Sequence, residues 1–75
     1  MLIKLTDSTS KHEVYLEHSL ITLISRNKNN LLESVVGTSV LTPNGPAMYI
    51  VREAPLEIAN LVNSAYLGRS AILDS

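Results

Sequence analysis

His12 and His18 are the two histidines of a 75-residue chain that has no cysteine. On one regular strand they would share a face, but Ser19 and a bend after His18 argue against that. A metal site would need a third ligand, and Glu13 or Glu17 would have to swing round from the opposite side. The reading is two surface histidines at a strand edge, with no metal. Serines are plentiful, yet none sits in a G-x-S-x-G strand-turn-helix elbow. Gly37, Gly45 and Gly68 are scattered, so no loop is built to cradle a phosphate. A domain this small is expected not to enclose a pocket of a few hundred cubic ångströms without a second subunit. With no arranged acid, base or nucleophile, the chain reads as a non-enzyme with no catalytic residue and no cofactor.

The remaining residues of interest point to binding. Arg26 and Lys28 flank a polar loop, as solvated charges or as part of a patch. Arg52 ends a strand just before a helix, where it can pair with Glu53 or Glu57 or reach a partner. With Tyr15 and Tyr49 these residues form the candidate partner-binding set. The net charge is −1 and the isoelectric point is near 6.0. No basic field exists to attract phosphates, on which nucleic-acid affinity largely depends. A nucleic-acid binder would need a local patch from Lys4, Lys11, Arg26, Lys28 and Arg52.

Hydrophobic periodicity predicts the elements that position these residues. Leu2-Ile3-Lys4-Leu5-Thr6 alternates as a short strand, with Ile3 and Leu5 on one face. Asp7-Ser8-Thr9-Ser10 is a turn cluster. Glu13 to Glu17 resumes the period of two, with Val14 and Leu16 together. Leu20 to Ser25 is apolar on both faces, as a central strand would be, its second face on the helix or on a second subunit. Arg26 to Asn30 is a solvated loop, and residues 27–36 read equally as loop, helical turn or strand. Val35 to Thr42 is a strand with Gly37 as a bulge or close-packing point. Pro43-Asn44-Gly45-Pro46 is a turn in which Asn-Gly supplies positive φ. Ala47 to Arg52 returns.

A helix follows from Pro55, which suits a first turn. Ile58, Leu61, Val62, Ala65 and Tyr66 form its apolar stripe. Gly68 is placed to end it, with Arg69 beside the last carbonyls. Residues 70–75 read as a flexible tail in which Ile72 and Leu73 could dock on a neighbour. Leu20, Ile21, Leu23, Ile24, Val40, Ile50, Ile58, Leu61 and Val62 are the expected core. The fold class is α+β, mostly β: a single domain over 1–75, with a small antiparallel meander or half-barrel of about five short strands and one C-terminal helix.

Charged residues make up 17% of the chain and hydrophobic ones 45%. A domain of this size buries only about 60% of its unfolded surface. Lacking disulfides, it is expected to gain stability by self-association. The first or last strand is the expected pairing edge. The N-terminal residues show no signal-peptide pattern, and no segment approaches the ~20 apolar residues of a membrane span. A cytoplasmic location without membrane contact is expected.

Three pieces resemble, in order, the small FlbD-like flagellar and swarming-motility proteins, to which uncharacterised small phage proteins are similar. They are Ile3-Lys4-Leu5-Thr6, Thr42-Pro43-Asn44-Gly45, and Tyr49-Ile50-Val51-Arg52-Glu53 running into a helix. The resemblance implies a β-meander with a helix and an accessory role. Ala54 stands where that family carries a serine, and the stretch from Asn27 to Val36 is longer. The opening Met1-Leu2-Ile3 and the Ala54-Pro55 step also resemble the carbon-storage-regulator family of RNA-binding dimers. That family's basic R-R-x-G-E segment is replaced here by Asp7-Ser8-Thr9-Ser10.

The expectation is a non-catalytic protein-binding or assembly module. It would form a homo-oligomer and act as accessory factor or inhibitor of an unknown protein, with a small RNA-binding regulator as the alternative.

Overall fold

The computed structural model describes residues 1–68. The expected tail over 70–75 and the role given to Arg69 lie outside those residues. Five strands and one helix follow in chain order: β1 (Leu2–Thr6), β2 (Glu13–Glu17), β3 (Ile21–Arg26), β4 (Ser34–Thr42), β5 (Gly45–Val51) and α1 (Pro55–Tyr66). A 3-10 turn over His18–Leu20 links β2 to β3.

The strands form two antiparallel sheets, β1-β2 and β3-β4-β5. The sheets meet where the end of β1 touches the end of β5. Asp7 bridges Val51, Ser8 N–H donates to Ile50 C=O at 2.9 Å, and Arg52 N–H donates to Thr6 C=O at 3.0 Å. The result is the expected small, mostly-β α+β fold with one C-terminal helix, its strands divided between two antiparallel sheets rather than running through one meander.

Alternation decides which side chains enter the core. On β1, Ile3 and Leu5 point inward and are buried. On β5 the inward residues are Tyr49 and Val51; on β4 they are Ser34 and Val36. Ile58 of α1 reaches Ile3, Leu5, Val36 and Val51 and completes the core. Leu16, Ile21, Ile24, Leu61 and Val62 pack around it, half-buried.

Several expectations are corrected here. β3 is an edge strand, because β4 pairs with it on one side and with β5 on its own other side. Leu20, Leu23, Val40 and Ile50 are exposed, and Ile21, Ile24, Leu61 and Val62 are only half-buried. The reason for Ile50 is register. Val51 is drawn inward by its pairing with Ser34 and its bridge to Asp7, which turns Ile50 outward. β1 and β2 are the edges of one sheet and β3 and β5 those of the other, with a single bridge from Asp7 to Val51 between them.

The hairpin turn also differs. Pro43 and Asn44 occupy the two turn positions, and Gly45, the first residue of β5, takes φ 112°. The positive φ falls on glycine alone, where no Cβ opposes it. The helix begins as predicted at Pro55. Its N-cap, Ala54, has no side chain to cap the first turn, so Pro55, with no N–H to satisfy, replaces that function in part. Gly68, φ 76°, donates its N–H to Ala65 C=O at 3.0 Å and ends the helix. In the stripe, Ala65 is buried while Tyr66 lies exposed against His18.

Candidate functional site: an uncharged sheet face

The candidate residues from sequence do not converge. Tyr15 is exposed on β2 and donates its hydroxyl to Glu13 at 3.2 Å. Tyr49 is half-buried against the core from the inner side of β5. Arg26 donates to Leu31 C=O at 3.0 Å, within the β3–β4 loop that also holds exposed Lys28. Arg52 lies at the far end of β5. Among the described residues it makes no ion pair with Glu53 or Glu57, although it shares a shallow cleft of about 320 Å³ with Thr6 and both carboxylates.

Glu53 is engaged elsewhere. One carboxylate oxygen accepts Thr6 N–H at 2.9 Å and the other accepts Thr6 Oγ1–H at 2.9 Å. Its backbone C=O accepts the Ser34 hydroxyl at 2.6 Å. Glu53 therefore ties β1 and β4 to the start of α1.

The histidines stand apart. His12 is exposed. His18, expected at the surface, is half-buried: its Nδ1 lies 2.7 Å from Glu17, and its ring meets Tyr66 edge-on at 4.6 Å. Among the described residues, no three His, Asp or Glu side chains converge as metal ligands would. On the exposed surface, Lys4 pairs with Glu13 at 3.1 Å, which raises the lysine and lowers the carboxyl from their ordinary values.

The β3–β4 loop is closely tied. Asn27 N–H donates to Glu33 C=O, Glu33 N–H donates to Asn30 C=O, and Asn27 Nδ2 and the Ser8 hydroxyl both donate to the Glu33 carboxylate. Of the readings left open for residues 27–36, the turn-rich loop holds up to Glu33 and the strand from Ser34 onward.

The feature that stands out is the outer face of β3-β4-β5. Register puts Leu23, Gly37 and Met48 in one row and Ser25, Val35 and Ile50 in the next. Leu41 and Pro46 pair further along the β4–β5 hairpin. Leu23 is 46% exposed, Met48 54%, Ile50 43% and Leu41 78%. An open antiparallel sheet ordinarily turns polar side chains to water. Here the outward positions of β5 are Pro46, Met48 and Ile50, with no polar residue among them.

Gly37 makes the face level. A Cβ there would lie 3.1 Å from Leu23 Cβ and 3.7 Å from Met48 Cε, so both neighbours lean over the glycine. The whole hairpin also lacks charge: from Ser34 to Val51 there is no Asp, Glu, Lys, Arg or His. That run is visible in sequence and was the available signal for this face. Alternation alone could not say which side of the strands faced out. The chain matches no family model, no curated protein and no solved structure.

Proposed function

We propose that this chain is a non-catalytic protein-binding module that docks another polypeptide on the outer face of β3-β4-β5. The observation that carries the reading is a three-stranded face on which exposed Leu23, Leu41, Met48 and Ile50 stand beside Ser25, with a β4–β5 hairpin free of charge. Monomeric proteins seldom leave such a patch in water. Natural edge and surface strands are ordinarily guarded by charge, and this hairpin has none. The expected roles are accessory factor or inhibitor of a partner protein, inside a cell. The resemblance to FlbD-like motility proteins and their small phage look-alikes fits such a role.

The RNA-binding alternative is less favoured. Its cations are spread over separate elements, and Lys4 and Lys11 are engaged with Glu13 and with Ser8 C=O. The test is parallel affinity capture with the native chain and with Met48→Lys. A specific protein retained by the first and lost by the second supports the reading. Identical recoveries, or retention of RNA by both, overturn it.

A further inference from the structure

We propose that Asn44, at the tip of the β4–β5 hairpin, is a site of spontaneous deamidation that places a carboxylate on this otherwise uncharged hairpin. The proposal concerns the covalent chemistry of the turn itself and stands apart from the docking reading.

The reaction asks three things of the fold. The backbone nitrogen of the next residue must be able to reach the asparagine side chain, the carboxamide must be free to turn, and water must have access. Asn44 meets all three. Glycine follows it, so no Cβ stands beside the attacking nitrogen. The surrounding space is open, since a Cβ built on Gly45 would meet nothing within 4 Å. Asn44 is exposed, and the turn holds it by its backbone, whose N–H donates to Thr42 Oγ1 at 3.2 Å. Among the described residues its carboxamide makes no hydrogen bond.

The other asparagines each lack a condition. Asn27 is buried, with Nδ2 donating to Glu33 at 3.1 Å and Oδ1 accepting Asn29 N–H at 3.1 Å. Asn30 Oδ1 accepts Leu32 N–H at 3.1 Å. Asn29 is exposed but is followed by Asn30, whose Cβ crowds the nitrogen. Asn60 and Asn63 lie in α1, where the following N–H is tied into the helix ladder.

The step balances without an oxidant or a reductant. Gly45 N attacks Asn44 Cγ, the N–Cγ bond forms, and the Cγ–Nδ2 bond breaks. The side-chain nitrogen leaves as ammonia, carrying the amide proton. Water then opens the cyclic imide at either carbonyl and gives aspartate or isoaspartate. Ser34 to Val51 carries no charged residue, so the product carboxylate is the first charge in the hairpin. Isoaspartate also brings Cβ into the main chain, which lengthens the turn that pairs Thr42 with Gly45.

The experiment incubates the intact folded chain at neutral and at mildly alkaline pH. Isoelectric focusing and peptide mapping by mass spectrometry follow it. The expected result is a species more negative by a unit charge, with the change mapped to Asn44. It should form faster at the higher pH, because the attacking nitrogen must lose its proton. Asn44→Gln should form an acidic species several-fold more slowly with an unchanged circular-dichroism spectrum, since its longer side chain closes a less favourable ring. Should that variant misfold, the mapping in the native chain decides alone. An acidic species that maps to another asparagine overturns the proposal. So does a folded chain that stays unmodified, whether or not the urea-unfolded chain deamidates at Asn44.

Discussion

Ile58→Ala should cost more stability than any other single truncation in α1. Ile58 is fully buried and touches β1, β4 and β5 residues of the core together. The change deletes three carbons, about 2.4 kcal/mol of transfer free energy at ~0.8 kcal/mol each. The cavity left between the sheets and the helix adds to this, for a total of about 3–4 kcal/mol. A chain of this length holds about 4–11 kcal/mol in all, so the variant loses about a quarter or more of its stability. Leu61→Ala removes the same number of carbons from a half-buried site and should cost about half as much. The assay is urea unfolding followed by far-UV circular dichroism, at one fixed protein concentration. With a slope near 1 kcal/mol per molar, typical of small domains, Ile58→Ala should lower the midpoint by about 3 M. Equal costs for the two variants, or less than about 1 kcal/mol for Ile58→Ala, would refute the placement of the core.

Other outcomes follow from single contacts. Glu53→Gln should destabilise by about 1–3 kcal/mol, since it weakens the charge-assisted bonds from Thr6 N–H and Oγ1; chemical denaturation measures it, and a Thr6→Val cycle should show the two residues coupled. Gly37→Ala should cost about 1–3 kcal/mol by pressing on Leu23 Cβ, and amide hydrogen exchange should rise in β3 first. The Ser10 N–H and hydroxyl both donate to Asp7 and hold its carboxyl below the ordinary value. A carboxyl depressed in the folded state stabilises above its unfolded pKa, and that contribution fades as pH falls through the folded one. Acid unfolding should therefore be shallower below about pH 4 in Asp7→Asn than in the native chain.

Local pattern carried much of this protein on its own. The alternation of Leu2 to Thr6 and Glu13 to Glu17 gave two strands. Pro55, Gly68 and the three- and four-residue spacing between them gave a helix whose bounds are Pro55 and Tyr66. These signals are short-range, and each needs only neighbouring residues to be read. The weight on one face was not legible in that way. Leu20 to Ser25 and Ala47 to Val51 are apolar on both sides, so alternation names two faces without saying which is the core. The contact of Asp7 with Val51 and the pairing of Ser34 with Val51 decided it, across more than forty and about seventeen positions of chain respectively. They turned Val51 in and Ile50 out. Glu53 reads in sequence as a partner for Arg52, and is instead a tie to Thr6 because folding brings the end of β1 beside it. Sequence sets which side chains alternate; only long-range pairing sets which alternate is buried, because a strand's period of two is blind to the side from which its neighbours arrive.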